Sequence, residues 1–362
     1  MKYIDEFRNK NLIRRAADKI REIMPQEEIN IMEVCGTHTQ SFFRFALGQF
    51  LPENLRLISG PGCPVCVSPQ EYIDRAIELS RDKDNIILSF GDMLRVPGGR
   101  STLEKERAKG GAIRVVYSAL DSLLIARKNP HKRVIFLAVG FETTAPTIGL
   151  AVLLTKKENL RNLLFFSSLK LIPPAMEYLV QDRRLRLSGF LCPGHVSAII
   201  GTQPYGIIAE KYGIGCCIAG FEPLDIMEGI YFLIRQTVIK RPRVDNQYMR
   251  VVTKQGNIRA QKIIRRVFKS TDSAWRGLGG IPRSGLKIKD EFSRFDAEKV
   301  LGIKRGTRYA VRRTPCKCGE VLKGLISPLE CPSFMKACRP ENPLGPCMVS
   351  NEGACNAYSR YK

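Results

Sequence analysis

No run of this chain approaches the roughly eighteen consecutive apolar residues that a membrane-spanning helix needs. The first thirty residues alternate charged and apolar positions and lack the apolar core of a signal peptide. A soluble, non-secreted, cytoplasmic protein with no membrane partner is therefore expected. Tryptophan occurs once in 362 residues and histidine three times. Acidic residues are also short, 35 Asp and Glu against 58 Lys and Arg, for a formal charge of +23. Residues 235–313 hold much of that excess, with 22 basic and 6 acidic side chains. Such a block suits an anionic partner, or is simply a solvated basic face. Few aromatic residues interleave with it, so the stacking platform of a single-strand binder is missing and nucleic acid is not the expected partner. The 44% hydrophobic and 26% charged composition gives no sign of long disordered tails, and the length suits two or three domains.

What the chain has in quantity is cysteine, twelve residues. A reducing compartment disfavours a disulfide framework, and a chain this long needs none, which leaves metal or redox chemistry as the leading use. Short apolar, β-branched runs at 29–34, 55–59, 85–90, 133–139, 163–168, 189–191 and 216–219 are each followed by a Gly, Pro or Cys-bearing turn and a segment that can be helical. Alternation of this kind predicts an α/β fold of parallel sheets built from right-handed βαβ units. The unusual residues all follow a predicted strand: Cys35-Gly-Thr-His-Thr39, Gly60-Pro-Gly-Cys-Pro-Val-Cys66, Gly140-Phe-Glu-Thr-Thr144, Cys192-Pro-Gly-His195 and Gly220-Phe-Glu222. Loops at the carboxyl ends of parallel strands build the sites of such sheets, so these motifs are expected in one cleft. The paired motifs Val139-Gly-Phe-Glu142 and Ala219-Gly-Phe-Glu222 fit either a diverged duplication into two similar lobes or a chance match.

The expected organisation is an N-terminal helix at 1–24, α/β lobes at 25–155 and 156–310 facing a cleft, and a small loop-rich C-terminal domain at 311–362, the chain being free to cross between lobes. That last segment has six Cys, six Pro and four Gly. It is too short and loop-rich to hold itself by apolar burial, which points to metal–thiolate bonds. The wide spacing of Cys316, Cys331, Cys338 and Cys355 favours a 4Fe–4S cluster. A structural zinc site is the rival, although only Cys316 and Cys318 form the close pair that zinc usually takes. Cys63 and Cys66, at an expected helix start, read as a redox or metal-binding pair. Cys35, three residues before His38, suits a soft metal or an activated nucleophile. His131 reads as a loop residue and Cys192, Cys216 and Cys217 as small buried hydrophobes. Glu142 and Glu222 are either cleft acids or caps on helix starts.

Together with Trp275-Arg-Gly-Leu-Gly-Gly-Ile-Pro282 and the spacing of the four C-terminal cysteines, these motifs resemble the HypD family of nickel–iron hydrogenase maturation factors, over about residues 4–360. The resemblance implies two α/β lobes, a C-terminal 4Fe–4S domain, and assembly of the Fe(CN)2CO group on a complex with the small chaperone HypC. It also implies HypE as cyanide donor, with HypF upstream. Carried over by motif, Cys35 would hold the mononuclear iron receiving CN and CO, His38 would assist, and Cys63 and Cys66 would be the redox or iron-binding pair. Cys316, Cys331, Cys338 and Cys355 would ligate the cluster. Whether the chain is an enzyme or mainly a scaffold with a redox step stays open. The rival is an Fe–S thiol–disulfide oxidoreductase acting on a protein substrate through Cys63 and Cys66. The basic block has no place in the family pattern.

Overall fold

The computed structural model describes residues 4–303 and 315–361. Its strands, in chain order, are β1 (Ile29–Glu33), β2 (Leu55–Ser59), β3 (Asn85–Ser89), β4 (Ile113–Val115), β5 (Arg133–Gly140), β6 (Leu163–Lys170), β7 (Gly189–Pro193), β8 (Gly215–Ala219), β9 (Val244–Asn246), β10 (Phe268–Trp275) and β11 (Gly279–Ile288). All seven apolar runs are strands. Their interiors are almost wholly buried, as parallel strands covered on both faces must be. β4 and β9, three residues each, lie at sheet edges with half-exposed side chains and so leave no apolar run to read.

Two sheets result. One has the order β2-β1-β7-β8-β9 and is parallel throughout. The other has the order β10-β11-β6-β5-β3-β4. Its β6, β5, β3 and β4 are parallel, and β10 and β11 extend it as an antiparallel hairpin. The fold is α/β with two parallel-dominated sheets and a loop-rich C-terminal segment. Each sheet draws strands from both 25–155 and 156–310, because the chain leaves the first sheet after β2 and returns to it at β7. The expected boundary at residue 311 lies outside the described residues.

The N-terminal helix Lys10–Ile23 starts at Asn9, whose Oδ1 accepts from the N–H groups of Asn11 and Leu12. Its buried face is Ile13, Ala17 and Ile20, packed against the helix Pro223–Val238 under the first sheet. The register follows a 3.6-residue period from Ile13, so Leu12 faces outward.

The hairpin β10–β11 turns on Gly277 and Gly279, both at positive φ, where a side chain would be strained. It also anchors the C-terminal segment: a Cβ on Gly277 would lie 2.4 Å from the Gly319 Cα. Trp275, fully buried, donates from Nε1 to Ser284 Oγ at 2.7 Å. Among the described residues no helix is long and apolar enough to cross a membrane.

Candidate metal and thiol site

In the first sheet the chain runs from β1 outward to β2, while β7 and β8 lie on the other side of β1. The crevice at the carboxyl ends of β1 and β7 is therefore a topological switch point, the standard binding position in such sheets. Cys35 stands there as the residue before the helix Gly36–Arg44. Two glycine contacts hold its loop. The Gly36 N–H donates to Gly62 O, and a Cβ on Gly62 would lie 2.2 Å from the Cys35 nitrogen. A Cβ on Gly36 would lie 2.2 Å from Glu352 O of the C-terminal segment. Cys35 is thus clamped between the loop after β2 and residues 350–353. Burial, reinforced by the Glu352 carboxylate, pushes its thiol up to about 12. Glu352, raised by burial, accepts from Thr37 Oγ1 at 3.1 Å.

His38 is fully buried. Its Nε2–H donates to Gly220 O at 2.9 Å and Ala219 O at 3.2 Å. That assignment leaves Nδ1 as a bare acceptor with no hydrogen-bond partner. The ring packs on Phe221, which also stacks on His195 at 3.9 Å between centroids and meets Tyr248 edge-on. Burial pulls His38 down from 6.5 to about 4, so it is neutral at physiological pH. Below pH 6.5 the unfolded chain takes up a proton that the folded chain refuses, so this group's stability is lost as pH falls toward 4. Between pH 7 and pH 5 the loss amounts to about 2 kcal/mol. His38→Gln keeps a donor for the two carbonyls and removes the titration. Urea unfolding at both pH values should show the acid-side loss shrinking by that amount in the variant.

Cys63 and Cys66 are buried in an apolar core shared by strands of both sheets, among them Met32 and Ile58 of the first and Ile87 and Ile135 of the second. Residues 64–67 form a turn, in which the Cys66 N–H donates to Cys63 Sγ at 3.2 Å, and the next helix, Gln70–Ser80, begins seven residues after Cys63. The expected helix start at Cys63 is therefore displaced: the Pro64 and Pro69 flanks favour a turn before the helix can begin. Pro64 and Val65 reach the carboxyl ends of β3 and β5, where they help line a cavity of about 420 Å³. Burial pushes the Cys66 thiol well above its ordinary value.

The C-terminal segment covers this cleft. Ser350 donates to Asp92 at 2.8 Å, Arg95 to Val349 O at 3.2 Å, and Tyr358 packs edge-on against Phe43. Two cysteines without an assigned role, Cys318 and Cys347, complete a series of neighbouring thiols. Cys318 perturbs the Cys316 thiol, Cys347 that of Cys318, Cys66 that of Cys347, and Cys63 that of Cys66, and Cys66 Sγ lies 3.8 Å from Pro346 O, beside Cys347. Five thiols thus run from the C-terminal segment into the inter-sheet cleft. Cys338 and Cys355 couple electrostatically to Cys316 and Cys331. The Leu344 N–H donates to Cys338 Sγ at 3.3 Å, and a Cβ on Gly345 would strike Cys316 Sγ at 2.4 Å. Among the described residues, no three His, Cys, Asp or Glu side chains already form a metal-binding group. Arg276, from the turn after β10, donates its N–H to Val67 O and its guanidinium to Pro97 O; the Cys316 thiol is pushed up by its Cys318 neighbour and by burial, against a smaller lowering by the Arg276 charge.

Among the remaining motif residues both glutamates accept from helix-start N–H groups, and Glu142 Oε2 is buried without a hydrogen-bond partner. Glu142 accepts from the Ile172 N–H at the start of the helix Ile172–Leu179, and burial raises it to about 7. Glu222 caps the helix Pro223–Val238 reciprocally with Asp225 and pairs with Arg8. Cys192, Cys216 and Cys217 are fully buried in β7 and β8, and His131 is exposed.

The HypD family model, described as the hydrogenase formation hypA family, matches residues 11–362. Hydrogenase maturation factor HypD2 of Bradyrhizobium diazoefficiens is 44% identical over 371 residues, covering all of this chain and 97% of that protein. The hydrogenase maturation factors HypD of Cupriavidus necator and Escherichia coli are 43% and 40% identical, with all of this chain and 97% and 98% of those proteins covered. With the family model covering nearly the whole chain and its relatives matched end to end, the chain belongs to the HypD family of hydrogenase maturation factors.

Proposed function

We propose that this chain is an iron-binding scaffold on which, together with a HypC-like small chaperone, the Fe(CN)2CO group of nickel–iron hydrogenase is assembled. The observation that carries the reading is the meeting of Cys35 and the five-thiol chain under one C-terminal cover. Cys35 holds the substrate iron jointly with a thiolate of the chaperone, and a HypE-like protein, charged by HypF, delivers cyanide. Neutral His38 keeps a proton on Nε2 and offers an unpartnered Nδ1 lone pair beside that site. The Gly36 and Gly62 contacts fix the Cys35 backbone, and Glu352 closes the cleft above it.

The donor set of the C-terminal segment fits an iron–sulfur cluster: four coupled thiols, an N–H directed at one sulfur, and a glycine clearing another. A 4Fe–4S cluster held by Cys316, Cys331, Cys338 and Cys355 would supply electrons singly at low potential. Cys318 and Cys347 lie between that set and the Cys63/Cys66 pair, which makes and breaks a disulfide in a redox step. The sulfur chain also favours a second reading, an iron–sulfur thiol–disulfide oxidoreductase in which Cys35 is dispensable.

Anaerobic Mössbauer and infrared spectroscopy on iron-57-loaded protein, co-purified with its small chaperone, test both. Cluster iron together with low-spin mononuclear iron and CN and CO bands is the expected result. A cluster with no mononuclear iron overturns the scaffold in favour of the oxidoreductase. No cluster iron at all overturns the assignment of the C-terminal cysteines.

A further inference from the structure

The proposed redox step leaves its electrons unexplained. Reduction of a Cys63–Cys66 disulfide consumes two electrons and two protons and yields two thiols. The twelve cysteines only pass electrons along, so a donor outside the chain has to supply them.

The thiol chain has a polarity that says where such a donor can approach. Cys66 and Cys347 are 0% and 1% exposed, whereas Cys316, at the far end, is only partly buried. Beside it lies a cavity of about 280 Å³, walled by Pro315, next in sequence to Cys316, and by Leu344, whose N–H meets Cys338 Sγ. Its charged lining is Arg95, Arg100, Lys105 and Arg276 against Glu104 and Glu341. Arg95 and Arg276 are fixed by their bonds to Val349 O and Pro97 O, while Arg100 and Lys105 stand exposed at the rim. The loop carrying Arg100 is rigid: Asp74 Oδ1 accepts the Gly99 N–H at 2.6 Å, and a Cβ on Gly98 would lie 2.4 Å from the same oxygen. Cationic side chains held in advance around the exposed end of a redox chain complement an acidic surface and steer its approach.

We propose that this cavity is the docking site for an acidic, one-electron carrier protein that supplies the reducing equivalents of the thiol chain. The proposal rests on the redox role given to that chain above. Two successive dockings deliver the two electrons of each disulfide, the protons coming from solvent; because thiols take electrons only in pairs, the cluster that Cys316, Cys331, Cys338 and Cys355 would hold would store the first electron until the second arrives. The basic residues that matter here lie at 95–105 and 276, so most of the basic block at 235–313 stays outside the site.

The test uses the full chain and a plant-type ferredoxin as probe. Binding is measured calorimetrically with the redox-inert gallium-substituted ferredoxin at several salt concentrations. Thiol states of Cys63 and Cys66 are read by mass-shift alkylation after reduction by native ferredoxin or by dithiothreitol. The double variant Arg100→Glu with Lys105→Glu should bind about tenfold more weakly with a shallower salt dependence, and its Cys63 and Cys66 should be reduced as fast as wild type by dithiothreitol but slower by ferredoxin. Unchanged binding in that variant, no binding at low salt, or saturation of the cavity by inorganic phosphate without displacement of ferredoxin overturns the docking site. Salt-dependent, variant-sensitive binding together with Cys63 and Cys66 that never form a disulfide under diamide supports the docking surface and overturns the redox reading instead.

Discussion

Cys35→Ala, co-purified with its small chaperone, should lose at least about tenfold of its low-spin mononuclear iron and of the CN and CO bands, with C-terminal cluster iron unchanged. The reason is local. The Cys35 thiol sits in a loop clamped by Gly62 on one side and Glu352 on the other. With the thiol raised to about 12, presenting a thiolate at pH 7 costs roughly 7 kcal/mol unless a cation replaces the proton. Metal–thiolate sites return on the order of 10 kcal/mol or more, so iron wins this competition and releases a proton as it binds. Iron retention should therefore weaken about tenfold for each pH unit removed. Alanine keeps the loop apolar and well packed, so urea unfolding should change by only about 1 kcal/mol. Iron and infrared bands that survive in the variant would move the ligand role to Cys63, Cys66 or His38. Mössbauer iron counts and infrared spectra on the same sample decide it.

Why this site was partly legible in the sequence follows from the same loops. A parallel strand buried on both faces must be a continuous apolar run, and the residues after it must turn, so β1, β2, β5, β7 and β8 announce where Cys35, Cys63, Glu142, His195 and Phe221 fall. Sheet membership was not announced. Whether the chain stays in one sheet after β2 or crosses to another depends on which faces pack, and short connections in both cases look alike. Cys318, Cys347, Glu352 and Arg276 acquire their meaning only through contacts across the fold: Cys347 reaches Cys66, 281 positions away in sequence, and Arg276 reaches Val67. Glu142 and Glu222 show the converse. Each follows a Gly-Phe pair, but backbone N–H groups at helix starts claim both, Glu222 at the helix directly after it and Glu142 at the later helix Ile172–Leu179, as the first-turn donors of a helix do.

Cys347→Ala should isolate the Cys63/Cys66 pair from the C-terminal cysteines. Cys347 is 1% exposed and neighbours both Cys318 and Cys66, perturbing each thiol. Removing it leaves Cys318, beside the cluster ligand Cys316, separated from Cys63 and Cys66 by an apolar methyl. Disulfide exchange needs direct attack of one sulfur on another, so a gap of one residue stops transfer along the chain. The variant is expected to recover Cys63 and Cys66 thiols after diamide oxidation at least about tenfold more slowly when electrons enter through reduced ferredoxin. Recovery with dithiothreitol, which reaches the pair by transient opening of the cover, should match wild type. The cavity left by one buried sulfur costs on the order of 1–2 kcal/mol, little enough for a folded comparison by urea unfolding. Cys192→Ala is the matched control, because Cys192 is equally buried and lies apart from the sulfur chain in β7. Equal recovery rates in Cys347→Ala, Cys192→Ala and wild type would falsify the relay and leave Cys66 to receive electrons by another route.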